Sequence, residues 1–307
     1  MERFVIVRSN RLNTFGNHIN SDNRRVINMF RDENKMRILE KEICLLTHLN
    51  LPERLFNPEL VGIDEENIIV FDGHVRIEFL KWLLKNNPKK RIILWLWNTV
   101  EEIENNLKLD EIPEGIEVWS YSEYDCKKNN LKYNTTFFWD RKKEAVAEIK
   151  QDIYFIGKDK GRLNKIKKIA TVLEKQGIKG IYHVVATHKY SLPKKEYRTN
   201  IPYSEVQANI AESRAILDVQ VSQTVGPSLR ALEAIFYQKK LITDDKNVKQ
   251  FRFYNKNNIF IWGEDSLSDL KRFLDSPMSA VNETDIEYYN VSNWLSRFLI
   301  DQEENHA

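Results

Sequence analysis

Cysteine is scarce: Cys44 and Cys126 are the only two in 307 residues, and neither belongs to a CxxC pair or a Cys/His cluster. That excludes a disulfide-stapled scaffold and a thiolate zinc site, and it fits a reducing, cytoplasmic setting. Long apolar runs are missing too. The longest, such as IILWLW, fall far short of the roughly 20 residues that cross a bilayer. The opening MERFVIVRSN carries Glu2 and Arg3 and too short an apolar run for a secretory signal. The chain therefore reads as soluble, with peripheral contact to the inner face of a membrane left open. Net charge is nearly absent, since 47 Lys and Arg against 45 Asp and Glu leave +2. A nucleic-acid partner would call for a broad basic excess with interleaved aromatics, so none is expected.

What is present is enough apolar material for a large core, with 42% of residues hydrophobic. A chain this long exceeds the usual size of one hydrophobic core, so two domains are expected. The charge is also unevenly placed. Residues 151–200 hold twelve Lys or Arg against four acidic residues, whereas residues 264–307 hold ten acidic against three basic. An anion is welcome in the first of these stretches.

Apolar runs of strand length alternate with helical patterns along the chain. RFVIVRS reads as a first strand, and KMRILEKEICLLTHL has helical spacing through Met36, Leu39, Ile43 and Leu46. NIIVFDG is a buried strand, HVRIEFLKWLLKNN a helix, and RIILWLW and IEVWSYS are further strands. The polar DRKKEAVAEIKQ after Trp139 reads as a link. The alternation then restarts with DIYFIGK, a helix through RLNKIKKIATVLEKQG, and a strand at GIYHVVAT. Two such series predict an α/β protein of two parallel sheets, each covered by helices. The expected domains are 1–145 and 146–280, with 281–307 a C-terminal helical segment that packs back on the first.

In sheets of this kind ligands bind beyond the carboxyl ends of the strands, which selects the turns of interest. One is DIYFIGKDKGRLNK, where Lys160 and Arg162 sit between strand and helix, at the helix end that favours anions. It is neither a Walker A loop nor a GxGxxG fingerprint. The other is SQTVGPSLRALEAIF. There Gly226 permits the turn, Pro227 suits the first helical position, and Thr224 and Ser228 can face phosphate oxygens. Leu229, Leu232, Ile235 and Phe236 form an apolar stripe, and Glu233 falls roughly 40° from Leu229 at its edge. A carboxylate so close to a core needs a partner. A ribose diol is one, and an intrahelical ion pair with Arg230 at i, i+3 is the plainer one.

In the first half, Asp72-Gly73-His74 follows a buried strand, so Asp72 or His74 is a candidate base for an acceptor hydroxyl; a capping aspartate in a glycine turn is the simpler reading. His18 is a weaker candidate for that role. His183 falls within a strand, and His188 can approach a nucleotide base. No metal-ligand spacing joins these histidines.

SQTVGPSLRALEAIFYQKKLIT is similar to the donor-site segment of GT-B glycosyltransferases, in which a small-residue turn leads into a helix carrying LEA and then a short strand. IGKDKGRLNKI resembles the start of that family's C-terminal domain, and NIPYSEVQANIAESRAILDV the stretch between. WSYSEYDCKKNNLKYNTTFFW is similar to a segment of bacterial transferases of lipopolysaccharide and capsule assembly. The resemblance runs from Gln151 to about Asp275 and more weakly through the first half. It implies two Rossmann-like domains whose parallel sheets face a cleft, a nucleotide-sugar donor, and a glycan or lipid-linked acceptor. It also implies that Glu233 holds the ribose, that Gly226, Pro227 and Ser228 lie against the diphosphate, and that Lys160 and Arg162 neutralise the leaving group, with no metal required. Many retaining members carry a second glutamate eight residues before the helix one. Here that position is Val225, so the stereochemical outcome stays open.

Overall fold

The computed structural model describes residues 3–9, 19, 23–31, 34–47, 49–104, 106–139, 147–187, 191–221 and 226–300. They form two compact units: Thr136–Leu299 is one, and the other described residues make up the first.

The first unit is built on a six-stranded parallel sheet in the order β2-β1-β3-β4-β5-β6. Its strands are β1 (Phe4–Arg8), β2 (Arg24–Asn28), β3 (Asn67–Phe71), β4 (Arg91–Leu96), β5 (Ile116–Ser120) and β6 (Lys132–Tyr133). Between them run helices α1 (Lys35–Thr47), α2 (Ile77–Asn86), α3 (Val100–Ile103) and α4 (Glu123–Asn129). β3 is apolar after its first residue and buried throughout, as a strand covered on both faces must be. In register, Ile6 of β1 lies between Val26 of β2 and Ile69 of β3. α2 turns Phe79, Leu80, Trp82 and Leu83 inward, and Phe79 meets Phe56 edge-on at 5.2 Å between ring centres, a favoured aromatic geometry. α3 opens with a capping box between Thr99 and Glu102, which fixes where the chain leaves β4.

The second unit carries another six-stranded parallel sheet, in the order β12-β11-β10-β7-β8-β9. Its strands are β7 (Gln151–Lys158), β8 (Gly180–Val185), β9 (Tyr197–Arg198), β10 (Ser213–Asp218), β11 (Lys240–Thr243) and β12 (Ile259–Ile261). Helices α5 (Leu163–Lys175), α6 (Tyr203–Ala211), α7 (Leu229–Phe236), α8 (Leu270–Asp275), α9 (Glu283–Tyr289) and α10 (Val291–Arg297) complete it. α5 buries Leu163, Ile166, Ile169 and Leu173. It stops at Gly177, whose φ of 74° lets Ile178 N–H reach back to the Leu173 carbonyl at 3.1 Å, the left-handed closure glycine allows.

Each sheet therefore has a point where strand order reverses, between β1 and β3 in the first and between β7 and β10 in the second. The second order is that of the dinucleotide-binding Rossmann sheet, and the first is flavodoxin-like. Two Rossmann-like parallel α/β units in one chain are the composition of the GT-B class.

The boundary falls ten residues before the one expected at 145, because of an aromatic strap. Phe138 exchanges backbone hydrogen bonds with Tyr289 and Val291 at 2.7 and 2.8 Å. Phe137 stacks on Trp294 at 4.1 Å, and Phe138 packs on Phe236 of α7 at 4.8 Å. The strap thus ties residues 137–139, α9 and α10 into the second unit, whereas 281–307 was expected to pack on the first. The linking segment from Asp140 to Val146 lies outside the described residues.

Candidate functional site

At the reversal point of the second sheet, β7 ends at Lys158 and β10 at Asp218. Arg162 bridges the two turns that follow. Its Nε donates to the Asp159 carbonyl at 3.3 Å, Nη2 to the Lys158 carbonyl at 2.5 Å, and Nη1 to the Val219 carbonyl. The guanidinium also lies 5.7 Å over the Phe155 ring. Desolvation lowers its pKa, opposed by Asp218, Asp244 and Asp159. Arg162 thus holds the two loops together, with donors occupied by backbone. Lys160 sits exposed at the tip of the same turn, in left-handed backbone at φ 41°, with its N–H on Thr187 Oγ1 at 2.8 Å. Asp159 caps α5 by accepting from Leu163 N–H at 2.8 Å and also takes the Tyr197 hydroxyl at 2.6 Å. Burial pushes its carboxyl up, and these hydrogen bonds outweigh burial and hold it below its ordinary value.

On the other side of the reversal, Gly226 and Pro227 are buried, and Gly226 has a φ of 138°, open to glycine but strained for other residues. Ser228 caps α7, its Oγ accepting from Ala231 N–H at 3.1 Å. Thr136 Oγ1 donates to the Pro227 carbonyl at 2.9 Å, which pins the turn. Thr224 and Val225 lie outside the described residues.

Glu233 is 0% exposed, deeper than the edge of a stripe. α7 buries every residue from Ala231 to Phe236, because the sheet lies on one side of it and the aromatic strap reaches it from another. The Tyr203 hydroxyl donates to Glu233 Oε1 at 3.0 Å, and Arg230 pairs with Oε2. Desolvation pushes the carboxyl up to about 7, against the opposing pull of Arg230 and Tyr203. The ion pair at i, i+3 is thus present, but in the interior. Tyr154, on the face of β7 opposite the Ile153 and Phe155 core, has its hydroxyl buried without a hydrogen-bond partner. Burial pushes that hydroxyl's pKa up, with Arg230 opposing the shift and Glu233 adding to it.

Three acidic residues at this edge escaped sequence reasoning. Asp218 closes β10 and accepts from Gln220 Nε2 at 2.7 Å and Thr243 Oγ1 at 3.3 Å; burial pushes it up to about 6. Asp244 accepts from Gln220 N–H at 2.8 Å and pairs with Lys165. Asp245 caps the following turn through Asn247 N–H at 2.9 Å. The readable signal was an aspartate closing each apolar strand, in AILD and LITDD. Tyr203 and Tyr154 gave no such signal.

In the first unit Asp72 follows β3 beside the reversal point. Asn98, after β4, donates to its carboxylate from the backbone N–H at 2.9 Å and from Nδ2 at 3.1 Å. Asp72 is therefore a clip between two loops, whereas its simpler reading was a capping aspartate in a glycine turn; the helix that follows has Arg76 at its N-cap. Desolvation still pushes it up to about 7, the value of a group able to exchange a proton near neutrality. His74 is exposed and adopts left-handed backbone at φ 62°. His183 bonds through Nε2 to the Thr199 carbonyl at 2.7 Å, while His18 and His188 lie outside the described residues. Among the described residues no group of His, Cys, Asp and Glu is placed to hold a metal ion. No described helix is long and apolar enough to cross a membrane.

No protein-family model matches the chain, and no curated protein sequence matches it. Among solved structures it is similar to the S. aureus MnaA–UDP co-structure, at 9% identity and a TM-score of 0.47 over 97% of this chain and 95% of that one.

Proposed function

We propose that the second unit binds a nucleotide sugar at the reversal point of its sheet and that the chain is an enzyme acting on that sugar. The observation that carries this is Glu233, a buried carboxylate on the helix that starts there behind Gly226-Pro227-Ser228. Its carboxylate is paired with Arg230 and accepts from the Tyr203 hydroxyl, and a ribose diol is the further partner assigned to it. The turn and the α7 N-terminus suit a diphosphate, with Lys160 at the rim and Arg162 fixing the loops. The resemblance to GT-B transferases extends the reading to transfer onto a glycan or lipid-linked acceptor in surface polysaccharide assembly, with Asp72 or His74 as the base.

A second reading is a nucleotide-sugar epimerase. Asp72 suits one half of it: inversion at one carbon removes a proton from one face and delivers one to the opposite face, and a carboxyl raised to about 7 can serve on one of those faces. Thermal shift across UDP, GDP, CMP and dTDP sugars selects the donor, since a ligand of the native state raises its melting point. The selected sugar is then incubated with and without a lipid-linked saccharide, in EDTA. Release of nucleoside diphosphate that needs the acceptor is the expected result. Interconversion without acceptor establishes the epimerase, binding without turnover a nucleotide-binding protein, and strict dependence on Mg²⁺ or Mn²⁺ contradicts the metal-free scheme.

A further inference from the structure

Helix α1 is turned inside out. Met36, Leu39, Ile43 and Leu46 are 78%, 58%, 46% and 68% exposed, whereas Lys41 on the opposite side is 5% exposed, its ammonium 5.1 Å over the Phe30 ring. At 100° per residue the four apolar side chains fall within about 80° of arc, centred opposite Lys41. The helix is held in this setting by its own contacts. Asn34 Oδ1 caps it through Arg37 N–H at 3.0 Å, Cys44 is buried beneath it, and Arg76 Nη2 reaches the Leu45 carbonyl at 3.3 Å.

The spacing of the exposed stripe is three, four, three, the a and d seam of a heptad, which is narrower than the stripe a helix presents to a sheet. Met36 and Ile43 take the a positions and Leu39 and Leu46 the d positions. Of the two a positions Ile43 is the β-branched one, which together with Leu at d favours a parallel two-helix pair. In that pair a g residue faces the e residue of the following heptad on the other helix, which sets Lys35 against Glu40 of a second copy, a carboxylate that also holds Arg54 of its own chain. A membrane surface would instead call for a cationic rim. Here Lys35 and Arg37 are balanced by Glu40 and Glu42 on the same helix. Because the helix is already docked on its unit, pairing need not supply the cost of forming it.

We propose that α1 is a dimer interface, at which two copies of this chain pair their α1 helices side by side and parallel about a two-fold axis. Sedimentation velocity on the full chain, from about 1 to 100 µM, is expected to show a dimer. Leu39→Asp and Leu46→Asp, both at positions exposed in the protomer, are expected to raise the dissociation constant at least roughly tenfold with circular dichroism unchanged. Leu46→Cys is expected to form a covalent dimer on mild oxidation, because d faces d in a parallel pair. The native thiols do not compete, since Cys44 and Cys126 are both buried. A chain that stays monomeric throughout, a dimer indifferent to both aspartates, or a Leu46→Cys protein that dimerises without cross-linking would overturn the proposal. So would a monomer that pellets with anionic vesicles and loses that binding in Leu39→Asp.

Discussion

Asp72→Asn is expected to fold and to lose turnover by roughly 10²- to 10⁴-fold, the usual contribution of a positioned proton acceptor. Asparagine keeps the shape and one carbonyl oxygen for Asn98 N–H, so the clip between the loops after β3 and β4 survives while the titrating group is gone. In the wild type the carboxyl sits at about 7, and a base must be ionised to act. The expected pH profile of kcat/KM therefore falls away below about pH 7, and the variant lacks that limb. Donor affinity is expected to be nearly unchanged, since the donor contacts are assigned to the second unit. A variant with full turnover and an unaltered profile would leave Asp72 as a clip only and pass the catalytic role to His74.

The second large effect is on stability. Burial lifts Asp72 to about 7, Asp218 to about 6 and Glu233 to about 7 in the folded chain. An unfolded carboxyl releases its proton near pH 4. Between those values the native state binds more protons than the unfolded one, so stability falls as pH rises. The contribution is fully present below about pH 4 and lost once pH has passed the folded-state values. For Asp218 ionisation in the interior costs on the order of 3 kcal/mol. Urea unfolding is thus expected to give a higher midpoint at pH 5 than at pH 8, and Asp218→Asn to close part of that gap in the second unit, Glu233 carrying the larger share. Glu117 works the other way, held at about 2 by Arg91, Trp119 and Lys132 against burial, but its influence lies below pH 4.5. A midpoint that rises from pH 5 to pH 8 would show that these carboxyls are ionised in the native state at pH 5.

Much of this fold was readable from the sequence because buried parallel strands are written as unbroken apolar runs. NIIVF, RIILWL and QDIYFIGK each became a strand, and the two series of alternation became two sheets. Long-range packing was less legible. Periodicity located α1 through Met36, Leu39, Ile43 and Leu46, yet these mark its outward face, because pattern alone does not say which side of a helix the rest of the chain covers. Glu233 was placed at the edge of a stripe by local geometry. Its complete burial depends on Tyr203 and on the strap at residues 137–139, both remote in sequence. Arg162 was legible as a charge, but its occupation by three backbone carbonyls depends on where β10 ends, next to β7 in space and far from it in sequence.

The assignment of Glu233 to the ribose is tested most directly by measuring the affinity of a nucleoside diphosphate and its 2′,3′-dideoxy analogue for wild type and Glu233→Gln. The four values close a double-mutant cycle that isolates the coupling between carboxylate and diol. Hydrogen bonds to a charged acceptor contribute about 1.5–3 kcal/mol each, so the natural nucleotide is expected to bind the variant at least roughly tenfold more weakly. The dideoxy analogue is expected to bind both proteins alike. A coupling energy near zero in a folded variant would leave Glu233 as the buried partner of Arg230 and Tyr203 alone, and would contradict the nucleotide-sugar site.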